Sequence, residues 1–203
     1  TGTNGKTTIT YLIRDILKQA DLSSGIIGTI NYCYGDKVLP AVNTTPGPIE
    51  LQSLLNDMAK SACRYCVMEV SSHALSQERT AGIDFESAIF TNLTPDHLDY
   101  HKTLENYFLA KSGLFSALKA EASAIVNLDS PYGARLRSLS RGRFVGYAID
   151  SSADFKARDL SLSLEGSEFV LEARGIKSKI KTRLLGRHNI LNILAAIAFG
   201  VTQ

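Results

Sequence analysis

Charge imbalance is what this chain has least of: 22 Lys and Arg against 20 Asp and Glu leave a net charge of +2. Near-neutrality removes the electrostatic footprint of a nucleic-acid binder. The one basic stretch, Lys177, Lys179, Lys181 and Arg183, alternates with other residues like the wet face of a strand. Cysteine is scarce as well. Cys33, Cys63 and Cys66 are odd in number and lack a second pair at zinc-finger spacing, which excludes a disulfide framework and a structural zinc site. They read as reduced thiols, and the lone "CRYC" enters an apolar run like a buried strand rather than a redox motif. Long apolar runs are missing too. The longest, "ILNILAAIAFGV", is about a dozen residues with an Asn inside, too short to span a bilayer, and no signal peptide is visible. No low-complexity or strongly charged segment argues for disorder. These absences lead us to expect a soluble, cytoplasmic monomer without nucleic-acid or membrane partners.

What is present is enough for a substantial core. At 203 residues, 44% of them hydrophobic, the chain fits one domain or a domain and a half and should bury roughly 70% of its unfolded surface. Ile9, Leu12, Ile13, Ile16 and Leu17 recur at three- and four-residue intervals, the stripe of an amphipathic helix. "SGIIGTINYCYGDKVLP" reads as a hairpin about a Gly-Asp turn, and "NTTPGP" as a loop. "IELQSLLNDMAKSA" is helical again, and "YCVMEV" is the continuous apolar run of a strand buried on both faces. "SAIFTNL" and "ASAIVNLD" repeat that texture around a helical "LENYFLAKSGLFSAL". The alternation predicts an α/β fold, a P-loop-type mostly parallel sheet flanked by helices. From 153 to 185 the runs alternate in polarity, predicting a small antiparallel sheet attached to the main one, before a closing helix at "NILNILAAIAF".

The chemistry concentrates at the first residues. Gly2, Gly5, Lys6 and Thr7 form G-x-x-G-K-T, in which glycines let successive N–H groups face phosphate oxygens without Cβ obstruction. Lys6 can neutralise the β- and γ-phosphates, the Thr7 hydroxyl can ligate Mg²⁺, and the helix that starts there adds its positive end. Such loops normally follow a strand, and none precedes this one, so the chain is expected to be cut from something longer. Glu69 closes a buried strand, where a lone carboxylate is costly unless a cation or donor meets it; it reads as a metal ligand. In "TNLTPDHLDYH", Asp96, His97, Asp99 and His101 cluster in what reads as a loop. His97 is the candidate for a magnesium or acyl-phosphate contact and His101 is read as structural.

The ordered set "GTNGKTT", "NTTP", "EVSSHAL", "FTNLTPDHLDYH", "YFLAKSGLF", "NLDSPYG" and "GRHNILNILAAIA" resembles the Mur ligases of peptidoglycan synthesis. Within them it is similar to the branch that adds a diamino acid, diaminopimelate or lysine, to UDP-N-acetylmuramoyl-L-alanyl-D-glutamate. The resemblance covers essentially the whole chain as the family's central ATP-binding domain, residues 1–203, without the amino-terminal UDP-binding and carboxyl-terminal amino-acid-binding domains. It implies that Gly2, Thr3, Asn4, Gly5, Lys6, Thr7 and Thr8 hold ATP, with Asn189 and Asn192 near the adenine. It implies two Mg²⁺, held through Thr7, Glu69, His97 and Lys111. Lys111 would carry a carbamate derived from CO2, a role that a helical lysine does not announce by itself. Asn43, Thr44, Thr45, Ser71, Gln77 and Arg79 would bind the muramyl dipeptide.

The implied reaction is ATP-dependent amide ligation through an acyl phosphate, with Lys6, His97 and Lys111 as the catalytic set. Two other readings stay open at this level. One is a nucleotide-binding module that is inactive alone, and the other is a related ligase such as a folylpolyglutamate or cyanophycin synthetase.

Overall fold

The computed structural model describes residues 1–203. Helix α1 (Lys6–Gln19) turns Ile9, Ile13 and Leu17 inward at the predicted spacing. Gly5 starts it at φ 88°, and no side chain caps it, so the N–H groups of its first turn have no intrahelical partner. Strands β1 (Ser24–Ile27), β2 (Asn31–Tyr34) and β3 (Lys37–Pro40) follow. The expected hairpin is β2 with β3, paired antiparallel around Gly35-Asp36. Helix α2 (Pro48–Lys60) begins on a proline, which suits the first helical turn. It packs Leu51, Leu54 and Met58 against Ile27, Tyr32 and Tyr34. Strand β4 (Tyr65–Met68) then runs parallel to β1, giving a four-stranded sheet in the order β3-β2-β1-β4.

After the short helix α3 (Ser72–Ser76), strand β5 (Ser87–Phe90), helices α4 (Leu98–His101) and α5 (Leu104–Ser116), strand β6 (Ser123–Asn127), helix α6 (Gly133–Leu139) and strand β7 (Arg143–Ala148) lay down parallel strands joined through helices. Every residue of β6 is buried. Its Ile125 enters a core with α1 and the last helix, while Ala124 and Val126 enter a second core with Tyr107, Phe108 and Phe115 of α5. Burial on both faces at about 1.5–3 kcal/mol per large aliphatic side chain explains why "ASAIVNLD" reads as one apolar run.

Strands β8 (Phe155–Ser163), β9 (Gly166–Ala173) and β10 (Ile176–Thr182) are antiparallel, and helix α7 (Arg187–Thr202) closes the chain. They form the expected antiparallel sheet attached to the main one. β8 also pairs parallel with β7, at Tyr147 with Phe155 and Ala148 with Lys156. The antiparallel strands therefore extend the parallel ones into one six-stranded sheet, β10-β9-β8-β7-β6-β5. The outer face of this extension is laced by ion pairs: Arg158 and Lys177 reach Glu172, and Lys179 and Lys181 reach Glu168.

Two expectations need correction. "YCVM" is half-buried throughout rather than enclosed, because β4 is the end of its sheet and its far edge has no partner strand. Residues 98–101 are not loop but the single turn of α4, with His97 as its N-cap at φ 53°. The three cysteines are free thiols, and no helix is long and apolar enough to cross a membrane.

Candidate nucleotide and metal site

The loop before α1 is held open by its neighbours, not by its own side chains. Asn92, just beyond β5, accepts the Asn4 N–H through Oδ1 at 2.9 Å and donates back to the Asn4 carbonyl at 3.3 Å. The Thr91 hydroxyl donates to the same carbonyl at 2.6 Å. Gly2 lies so close to this strand end that a Cβ there would sit 1.8 Å from Thr91 Oγ1. Gly5 is constrained twice, by φ +88° and by Asn192 Oδ1, which lies 2.4 Å from where a Cβ would be. Gly5→Ala is expected to lose about 1–3 kcal/mol in urea unfolding, together with ATP affinity; an unchanged midpoint would contradict this geometry.

Two lysines converge on one carbonyl. Lys6 Nζ curls back to donate to Gly2 O and Thr3 O, both at 2.9 Å. Lys111, from α5, is 1% exposed and donates to Gly2 O at 3.1 Å, with its amine 4.4 Å from the centre of the Tyr107 ring. Burial, reinforced by the charge of Lys6, brings Lys111 down to about 7. Lys6 is also lowered by burial, against the pull of Glu69 and Asp96.

Glu69, just past β4, is buried, and every donor it meets is neutral. Thr7 Oγ1 reaches Oε1 at 2.9 Å, the Thr29 N–H reaches the same oxygen at 2.9 Å, and the Thr29 hydroxyl reaches Oε2 at 3.1 Å. No lysine, arginine or histidine forms an ion pair with it within 4.0 Å. A buried carboxylate so placed suits a bound cation, and Thr7 is the hydroxyl alongside. His97 is half exposed, with Nε2 3.5 Å from Asp96 Oδ2. Its ring lies 6.1 Å from that of Tyr107, whose hydroxyl is 3.3 Å from Thr3 Oγ1. Lys6, Thr7, Glu69, Lys111 and, through Tyr107, His97 thus surround the glycine loop. No three His, Cys, Asp or Glu side chains form a closed metal cage.

Of the remaining predicted residues, Asn192 packs on the loop, and its amide donates to Asn189 Oδ1 at 3.2 Å. Asn189 donates in turn to Leu185 O at 2.9 Å. Asn43, Thr44, Thr45, Ser71, Gln77 and Arg79 form one knot beside Glu69. Thr45 is buried, its hydroxyl donating to Glu69 O at 2.8 Å and accepting from the Ser71 N–H at 3.0 Å. Ser71 Oγ caps α3. Arg79 donates to Thr45 O and, through Nε and Nη2, to Gln77 Oε1. Thr44 Oγ1 lies 3.0 Å from Thr29 Oγ1. Asn43 is exposed, while its backbone exchanges hydrogen bonds with the Tyr32 hydroxyl. His101 is buried against Ser72 Oγ at 2.9 Å, in keeping with its structural reading. Sequence reasoning passed over Thr29, Asn92 and Tyr107. Asn92 carried a signal, being a polar residue straight after an apolar strand that ends at the glycine loop, whereas Thr29 and Tyr107 carried none.

Residues 1–200 match the family described as Mur ligase middle domain. The UDP-N-acetylmuramoyl-L-alanyl-D-glutamate--2,6-diaminopimelate ligase of Geobacter metallireducens is 44% identical over 207 residues, covering 99% of this chain and 40% of the relative. The ligase of the same name from Clostridium tetani is 43% identical over 203 residues, covering 100% and 41%. A solved structure of a protein with that name superposes with a TM-score of 0.89 at 34% identity, over 98% of this chain and 42% of the other. MurF ligase from Thermotoga maritima, solved in complex with ADP, shares the fold with a TM-score of 0.72 at 17% identity, over 98% and 43%. The chain spans about two fifths of the length of the curated relatives it matches.

Proposed function

Because the chain belongs to the Mur ligase family, matched from residue 1 to 200 by that family's middle domain, we propose that it is the ATP-binding domain of an ATP-dependent ligase. The ligase joins 2,6-diaminopimelate to the D-glutamyl residue of UDP-N-acetylmuramoyl-L-alanyl-D-glutamate. The names of the relatives favour diaminopimelate over lysine. On this reading the rest of the relatives' length houses a UDP-gripping amino-terminal domain and a carboxyl-terminal domain for the incoming amino acid. The observation that carries the proposal is the loop from Gly2 to Thr8, where Lys6, an uncapped helix start and the Thr7–Glu69 bond meet.

The γ-carboxylate of the D-glutamyl residue attacks the γ-phosphorus of ATP. An O–P bond forms as the bond to ADP breaks, giving an acyl phosphate. The amine of the diamino acid then attacks the acyl carbon, a C–N bond forms, phosphate leaves and the amine's proton passes to solvent. No protein nucleophile is needed, so the task of the chain is positioning and charge. Lys6 leaves the Gly2 and Thr3 carbonyls for the β- and γ-phosphates, and the N–H groups of the loop take the remaining oxygens. Thr7 and Glu69 would hold one Mg²⁺, and His97 and Lys111 would serve a second. When bound, the two ions offset the repulsion between carboxylate and triphosphate.

Lys111 contributes as a carbamate. Its lowered pKa leaves much of the amine neutral near pH 7, the form that captures CO2. An N–C bond forms, a proton leaves, and a cation becomes a carboxylate. Asn43, Thr44 and the Arg79 fork meet the anionic dipeptide, while Asn189 and Asn192 lie on the adenine side.

A choice of acceptors tests the reading. Full-length enzyme given ATP and diaminopimelate is expected to release phosphate and form product with the UDP-muramyl dipeptide and not with folate; turnover of folate would assign a different ligase. The 203 residues alone are expected to bind ATP in calorimetry and to form no amide. Ligation by them would overturn the division into domains.

A further inference from the structure

Two hydroxyls in series join Glu69 to the loop that carries Asn43, Thr44 and Thr45. The Thr29 hydroxyl donates to Glu69 Oε2 at 3.1 Å, and Thr44 Oγ1 lies 3.0 Å from Thr29 Oγ1. A hydroxyl has one proton, and a carboxylate only accepts. With the Thr29 proton spent on Glu69, the proton between the two threonines comes from Thr44 and is turned inward. Thr45 is spent in the same way, its hydroxyl donating to Glu69 O at 2.8 Å. Neither threonine of the loop has a proton left for a ligand, although the ligand proposed for it is an anion.

The heavy atoms around this pair are held from several sides, which leaves rotation of the two O–H bonds as the cheap motion. The Glu69 N–H donates to Ile27 O at 2.8 Å, and a Cβ on Gly28 would sit 2.5 Å from Glu69 Oε1. The Thr29 N–H and the Thr7 hydroxyl hold that same oxygen, each at 2.9 Å. Thr45 is pinned through its hydroxyl by Glu69 O and the Ser71 N–H, and through its carbonyl by Arg79 at 2.9 Å. That fixes Thr44 beside it.

A cation at Glu69 reverses the preference. The Thr29 O–H dipole points its proton at a bare carboxylate, whereas beside a neutralised one its lone pairs are the favoured end to present. Turned away, the Thr29 proton faces Thr44 Oγ1, and the Thr44 proton swings out to the ligand side. No proton changes atom; two hydroxyls rotate. We propose that Thr29 is a positioning residue through which a cation at Glu69 prepares Thr44 to donate to an anionic oxygen of the acceptor. The inference rests on the ligase reading, which supplies the cation and the anionic acceptor, and adds to it a side chain that belongs to neither set of ligands.

Calorimetry on the full-length protein tests it, with the UDP-muramyl dipeptide titrated in the presence and absence of saturating Mg²⁺ and a non-hydrolysable ATP analogue. The wild type is expected to bind the dipeptide about tenfold or more tighter in the loaded state. Thr29→Val keeps the side-chain shape and the N–H bond to Glu69 but frees the Thr44 proton in both states. Its affinity without metal is therefore expected to rise about fivefold, while its loaded affinity stays within about twofold of the wild type. Thr29→Ser, which returns the hydroxyl, is expected to restore the wild-type ratio. A residue that only packs would lower both affinities together when replaced by valine. That result, or the same ratio in Thr29→Val as in the wild type, or a wild-type ratio near one, would overturn the coupling alone. A wild-type protein that binds no dipeptide in either state would overturn the ligase reading and the coupling with it.

Discussion

On the proposed function, Lys6→Ala in the full-length protein is expected to lower kcat/KM for ATP-dependent ligation at least a hundredfold, the scale of losing one preorganised charge at a transition state. The physical reason is local. The Lys6 amine now rests on the carbonyls of Gly2 and Thr3, so no rearrangement of α1 is needed for it to reach a phosphate. Its alanine replacement leaves the loop's N–H groups intact but removes the one cation that the loop carries. Lys6→Arg is expected to rescue little, since a planar fork does not fit where a compact ammonium turns on its own loop. Steady-state phosphate release is the measurement. A variant keeping a tenth or more of wild-type turnover would show that the loop is a turn and not a triphosphate cradle.

Lys111→Met is the second large effect, and it separates function from folding. Turnover is expected to fall at least a hundredfold in the full-length protein if, as proposed, this side chain would serve a second metal ion. Stability moves the other way. The ordinary pKa of 10.5 is brought to about 7 in the fold, so between those values the unfolded chain binds more protons than the folded one. Stability contributed by this group therefore rises as pH increases across that window, and the burial penalty is fully present below pH 7, where both states are protonated. Urea midpoints at pH 6.5 and 9.5 test this. The variant is expected to be the more stable protein at pH 6.5 and to lose part of the wild-type rise towards pH 9.5. Parallel pH dependence in the two proteins would mean that Lys111 is not buried as a strained amine.

Much of this was legible from the order of residues, and the exceptions have physical causes. The α1 stripe, the β2–β3 hairpin and the enclosed β6 were readable because periodicity reports burial on one face or two. The exposure of β4 was not. Its apolar run suits a strand inside a sheet, and only the coordinates show one edge without a partner. The attachment of the antiparallel strands to the main sheet was expected, but not that it runs through parallel pairing of β8 with β7, since two such rungs leave no mark on polarity. At the site, the glycine loop and Glu69 announce themselves by type and position. Lys111 does not, because "YFLAKSGLF" surrounds it with residues that suit a helix buried or exposed. Thr29 and Tyr107 act through a hydroxyl and a ring set by tertiary packing alone, and Asn92 through an amide that mimics a strand neighbour.

The two margins of the six-stranded sheet meet the outside on opposite terms. At β10 the last rung faces solvent with Lys177, Lys179 and Lys181 projecting at every second position, and another strand docking there would have to bury those charges. That margin is guarded against stray pairing between molecules. The opposite margin, β5, has no such guard and is lined with aliphatic groups. Edge-to-edge association of this chain is therefore expected to run through β5 only and, with the lysine-bearing side inert, to stop at a pair.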